Sequence, residues 1–184
     1  MKVSQTTLPG ILLIERVVHK DFRGALTELF QSERYATHGI HGPWIQDNLS
    51  VSRRGVLRGL HFQEPLPQGK LITVLDGSIF DVAVDIRTGS PHFGHWMSCE
   101  ISQENRRQIW IPPGFAHGFL TLSDIAMVHY KVSHNSWSPA CERTIHWDDP
   151  DIAIDWPAPI ESVNDRDKTA PTLAETQTLP VFSG

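Results

Sequence analysis

Short runs of alternating polar and apolar residues, divided by glycine, proline and aspartate, fill most of this chain, and long helical periodicity is missing. A period of two puts successive side chains on opposite faces of a half-buried strand. On that pattern eleven strands are predicted, at 10–18, 24–30, 45–52, 56–62, 71–76, 78–86, 95–101, 107–111, 118–122, 126–132 and 143–147. Asp76-Gly77 between two apolar runs is the strongest local hairpin signal, and Gly89-Ser90-Pro91 and Pro112-Pro113-Gly114 mark further turns. Only 32–37 and 171–176 have the composition for a helical turn or two. From Asp148 the chain becomes loop-like, so 148–184 is expected to wrap a single domain spanning 1–184.

Many short strands at regular spacing predict an all-β fold, a jelly-roll sandwich or barrel with short peripheral helical turns, because each sheet has an apolar face to bury. The mouth of such a barrel can hold a ligand. Polar residues on inward positions, such as Arg58, His61 and Lys70, would then line a pocket. Arg58 and His61 are three apart and would face opposite sides of a regular strand; Gly59 between them suggests a bulge that re-aims one of them.

Composition narrows the function. With 184 residues, 40% hydrophobic and 20% charged, the chain suits one globular core, and its net charge of -5 gives no basic footprint for nucleic acid. No apolar run approaches the roughly 20 residues that span a bilayer, and the first ten residues lack a leader pattern. A cytoplasmic protein without membrane partners is expected, with Cys99 and Cys141 as reduced thiols. There is no His-x-His pair for a barrel metal, no Gly-x-Ser-x-Gly nucleophile and no glycine-rich phosphate loop. Anions would have to be met by side chains, with Arg23, Arg58 and Lys70 as candidates. What remains is His61 at the end of 55–62, Lys70 in Gln68-Gly69-Lys70, and His117 within 112–119. One strand histidine is more often structural than catalytic. A base, a fixed cation and a second imidazole, all at strand ends or turns, suit proton removal from a carbon beside a ketone, where the enolate needs a positive partner.

Several blocks together carry a resemblance: Asp21-Phe22-Arg23-Gly24, 46–52, 55–62, Gln68-Gly69-Lys70, 77–87, Gly89-Ser90-Pro91, 112–119 and 164–171. In these the chain resembles, almost end to end, the dTDP-4-dehydrorhamnose 3,5-epimerase family of cupin-type jelly rolls. The resemblance implies His61 as general base, Asp167 as the carboxylate orienting it, and Lys70 as the cation at the substrate's carbonyl oxygen. It also implies His117 near the sugar or diphosphate, Arg58 on the diphosphate, and Arg23, Glu28, Gln46 and Asn48 on the nucleotide, some of them across a strand-exchanging homodimer. No metal or organic cofactor is implied. The substrate would be a dTDP-linked 4-keto-6-deoxy sugar, inverted at carbon 3, carbon 5 or both. One segment departs from the pattern. The family's acid is a tyrosine in Tyr-x-x-Ser/Thr-x-x-Tyr-x-Pro; here 130–139 is one residue longer, and Trp137 falls at the tyrosine position. An indole is too weak an acid to replace a phenol, so Trp137 is expected to pack against sugar or base. That leaves His134, Ser136 or Tyr130, with water, as substitute acids, inversion of a single carbon, or a sugar-nucleotide binding protein without turnover.

Overall fold

The computed structural model describes residues 1–183. Its strands are β1 (Lys2–Gln5), β2 (Leu12–Glu15), β3 (Val18–Asp21), β4 (Gly24–Thr27), β5 (Trp44–Arg53), β6 (Leu57–Gln63) and β7 (Gly69–Asp76). They continue as β8 (Ser78–Asp85), β9 (Trp96–Ser102), β10 (Arg107–Ile111), β11 (Phe115–Thr121), β12 (Ile125–Ser133) and β13 (Glu142–Thr144), with short helices α1 (Ser32–Ala36) and α2 (Asp165–Lys168). Six strands pair in the order β1-β2-β10-β7-β12-β5 and five in the order β13-β6-β11-β8-β9, while β3 and β4 form a separate ribbon. Every pairing between these strands is antiparallel. This is the expected cupin-type jelly roll.

Strand β8 explains how the layers are held. Ile79 and Ala83 pack between the sheets with Ile72, Ile109, Phe119 and Val128. Its alternate residues Val82 and Val84 point outward, yet they are also buried, under Ile145, Ile152 and Leu173 from the chain beyond β13. A strand covered on both faces reads as a nearly unbroken apolar run, and each fully buried Val or Ile contributes about 1.5–3 kcal/mol. Asp81 and Asp85 break that run on the inner face and are themselves buried.

Several local expectations need correction. The Asp76-Gly77 hairpin does not form, since β7 and β8 belong to different sheets. Gly77 (φ +76°) turns a corner instead, where a Cβ would lie 2.1 Å from the Ile125 carbonyl oxygen. Each flanking strand finds a better partner, β7 on β12 and β8 on β9. The 10–18 run splits into β2 and β3, and β1 was not foreseen. The 171–176 segment makes a turn, closed by the Glu175 N–H donating to the Thr172 carbonyl, not a helix. The helix lies just before it, where the Asn164 side chain accepts from the Asp167 N–H at 2.7 Å and caps α2. Among the described residues no helix is long and apolar enough to cross a membrane.

Candidate active site

The site begins with an irregularity in the pairing of β6 with β11. His61 lies opposite His117 and Arg58 opposite Phe119, so three steps along β6 match two along β11. Gly59 supplies the extra residue at φ +136°, and a Cβ there would sit 2.5 Å from the Gly118 Cα. Only glycine fits this position. The bulge brings Arg58 and His61 to the same cavity, as the Gly59 position predicts.

That cavity has a volume of about 200 Å³ and opens between the two sheets. One wall carries Asn48 and Ser50 from β5, Lys70 from β7 and Tyr130 from β12; the other carries Arg58, His61 and His117. Trp137 and Glu142 also border it. Two histidines are each backed by a fully buried carboxylate. His61 Nε2 is 2.8 Å from Asp167 Oδ1, and His117 Nε2 is 2.8 Å from Asp81 Oδ2. A carboxylate only accepts, so in the tautomer that bonds Asp167 the Nε2 of His61 carries the proton and Nδ1 is left as the basic nitrogen.

The surroundings tune these groups differently. Burial opposes the Asp167 charge, but the hydrogen bond and charge of His61, the Gly59 N–H at 3.2 Å and Arg166 outweigh it and hold the carboxyl below its usual range. Asp81 has fewer compensations. Burial raises its carboxyl against the pull of His117 and Lys70, and its Oδ1 has no hydrogen-bond partner among the described residues. Lys70, half-buried with Nζ 3.4 Å from the His61 carbonyl oxygen, is pushed down to about 8 by desolvation, which Glu142 and Asp81 only partly offset. Burial drives the Tyr130 phenol the other way, well above its ordinary value. Its ring stands edge-on to His117, with centroids 6.1 Å apart.

The structure therefore gathers His61, Lys70, Arg58, His117, Asn48 and Trp137 on one cavity and sets Asp167 behind His61. Gln46 stands one step back: its Oε1 accepts from the Trp137 N–H at 2.9 Å and its Nε2 donates to Asn48 Oδ1 at 2.9 Å. Arg23 and Glu28 are not brought there by this chain. Arg23 is tied to Asp21 on the β3–β4 ribbon and Glu28 to Arg34 of α1. Of the three substitute acids, Tyr130 lines the cavity and His134 and Ser136 do not. Sequence reasoning missed Asp81, Gln63, Glu142 and Arg166. A charge inside the apolar run of β8 was the available signal for Asp81. Gln63 is buried and donates to the Leu66 and Ser136 carbonyls at 2.8 and 3.2 Å while accepting from the Ser138 N–H at 2.6 Å, which anchors the loop bearing Trp137. Among the described residues no group of three or more His, Cys, Asp or Glu side chains is placed to hold a metal ion.

A jelly roll whose cavity combines a carboxylate-backed imidazole, an ammonium and a phenol defines a cupin-type acid–base enzyme. Comparison with known proteins narrows this class. Residues 5–175 match the family model described as dTDP-4-dehydrorhamnose 3,5-epimerase. A dTDP-4-dehydrorhamnose 3,5-epimerase of Methanothermobacter thermautotrophicus is 50% identical over 161 residues, 88% of this chain and 85% of the relative. The dTDP-6-deoxy-D-glucose-3,5-epimerase of Legionella pneumophila, solved with dTDP-4-keto-L-rhamnose, superposes with a TM-score of 0.96 at 44% identity, covering 100% of this chain and 99% of that one. A 3'-monoepimerase of Streptomyces bikiniensis, solved with dTDP as a histidine-to-asparagine, tyrosine-to-phenylalanine double mutant, has a TM-score of 0.90 at 35% identity, covering 97% of this chain and 92% of that one. The chain belongs to the dTDP-4-dehydrorhamnose 3,5-epimerase family and is an isomerase.

Proposed function

We propose that this epimerase acts on a dTDP-linked 4-keto-6-deoxyhexose and inverts carbons 3 and 5, with His61 as base and Tyr130 as acid. The observation that carries the reading is the presence of the His61–Asp167 pair, Lys70 and Tyr130 on a single cavity. His61 Nδ1 takes the proton from the carbon beside the ketone, and the electron pair moves onto the carbonyl oxygen. Lys70 stabilises that enolate. Tyr130 then delivers a proton from the opposite face, and the phenol and imidazole regain their original states through solvent. The chemistry is the same at either carbon, because both flank the ketone. The family's Tyr-x-x-Ser/Thr-x-x-Tyr-x-Pro pattern pointed to Trp137 as the acid's position; the cavity itself favours Tyr130. The solved monoepimerase altered at one histidine and one tyrosine supports the same pair of residue types.

At about 200 Å³ the cavity is below the roughly 300–1,000 Å³ typical of whole-ligand sites, so it suits the sugar, with the nucleotide across the rim. Arg58 and His117 would meet the diphosphate end, Asn48 and Gln46 the nucleotide, and Trp137, half-exposed at the mouth, would pack against sugar or base. Arg23 and Glu28 would come from the partner of a homodimer. The ribbon that carries Arg23 exposes Phe22 and Leu26 (98% and 72%), the side chains of a surface built to be covered. A cytoplasmic location goes with this reading. The deciding experiment incubates the protein with dTDP-4-keto-6-deoxyglucose in deuterated water and follows it by mass and NMR. Deuterium at both carbons is expected. Incorporation at one alone would make it a monoepimerase, and none at either would leave a binding protein.

A further inference from the structure

Two neighbouring residues of α2 approach the same ring nitrogen. Asp167 Oδ1 lies 2.8 Å from His61 Nε2, and Arg166 Nη2 lies 3.0 Å from it. A guanidinium only donates and a carboxylate only accepts, so Nε2 accepts from Arg166 in one tautomer and donates to Asp167 in the other. In the tautomer that bonds Asp167, the guanidinium is a positive charge beside the ring. Arg166 Nε also reaches Asp167 Oδ1 at 3.5 Å, and its Nη1 pairs with Glu142, which borders the cavity. We propose that Arg166 is a positioning residue of the reaction: shared between Glu142, Asp167 and His61, it offsets the charge of the carboxylate that orients the imidazole.

The logic is electrostatic. A lone carboxylate on a histidine favours the imidazolium, which is useless as a base, and a cation beside the same carboxylate removes much of that bias while leaving the orienting bond intact. Other charged or titratable groups face His61 as well: Arg58 on β6, Lys70 on β7, His117 on β11 with Asp81 behind it on β8, and Glu142 on β13. Arg166 differs from them in touching the ring on the nitrogen that does no chemistry. Its side chain is half-exposed, so its removal should spare the fold.

The inference rests on His61 being the base of the proposed reaction, and the test separates the two. In Arg166→Gln the acid limb of deuterium wash-in should move up by about one pH unit, a shift within the range of nearby-charge effects after allowance for exposure. KM should change less than about threefold, because Arg166 acts through His61 and not on the sugar. Arg166→Lys, which keeps the charge, should return the limb close to wild type, and Glu142→Gln, which frees the guanidinium, should give an intermediate profile. In parallel, ¹⁵N NMR titration of the His61 imidazole without substrate should show the same upward shift in Arg166→Gln. An unmoved imidazole titration, a lysine variant no better than glutamine, or a loss confined to KM would overturn the proposal. An imidazole that shifts in a protein that never exchanges the sugar would sink the functional reading instead and leave the role of Arg166 standing.

Discussion

Burial favours the neutral form of any titratable group, and on this cavity it has different consequences at Lys70 and Tyr130. Burial holds the phenol in its protonated form, the state from which a general acid acts, while making it a weaker donor than a free phenol. Tyr130→Phe should therefore still wash deuterium into the substrate through His61 but form inverted product about 10²-fold or more slowly, as expected for loss of a general acid. Product formation at the wild-type rate would transfer the acid role to a water or to another side chain. Lys70 is useful only while charged, and its ammonium is pushed down to about 8. Below that pH the cation is present and above it the cation is lost, so turnover should fall as pH rises through about 8. Lys70→Met should lose about 10²–10³ in rate and with it the alkaline limb, which a pH–rate profile reads directly. A limb that survives the substitution would belong to another group.

At the scale of the element, the bulge at Gly59 decides whether there is a site at all. It turns two residues of β6 into one cavity, and the Gly59 N–H itself donates to Asp167 Oδ2. In Gly59→Ala a methyl group would have to fit 2.5 Å from the Gly118 Cα at a backbone angle that favours glycine. A loss of roughly 1–3 kcal/mol or more in denaturant unfolding is expected, together with loss of exchange. Normal stability with normal exchange would mean the pairing does not need its extra residue. The bulge was legible because glycine between two polar candidates is a local signal. So were most strands, since alternation is local too. The Asp76-Gly77 corner was misread for the complementary reason: a turn signal cannot say which sheet each flanking strand will join. Asp167 lies 106 residues from His61, and no local pattern links them; only the family resemblance did. The proposed acid is the same problem in another form: motif spacing put Trp137 at the family's tyrosine position and left Tyr130 as one of three substitutes, whereas the register of β12 turns Tyr130 toward His117.

At the scale of the whole molecule, large apolar side chains lie exposed along one sheet edge and one ribbon. Strand β5, ten residues long, is an edge of the six-stranded sheet, and Ile45, Leu49 and Val51 lie exposed along it, as do Phe22 and Leu26 on the β3–β4 ribbon. Long apolar edges invite pairing unless they are covered. A second copy of the chain would cover them, and a stable dimer would bury on the order of 1,200–2,000 Å² in doing so. Sedimentation should then give a dimer, with Leu26→Asp and Leu49→Lys weakening it. A sharper consequence concerns Arg23, which is tied to Asp21 on the ribbon and stands outside its own chain's cavity. If that residue serves the partner's cavity, an Arg23→Ala subunit mixed with a His61→Ala subunit forms heterodimers in which both defects fall on one cavity and the other is intact. Two inactive preparations should then recover about a quarter of wild-type activity on random exchange, since half of the dimers are mixed and each has one working site. Recovery should rise with the time allowed for subunits to exchange. If each cavity used its own Arg23, every site in the mixture would carry one defect, and no activity would return at any ratio of the two.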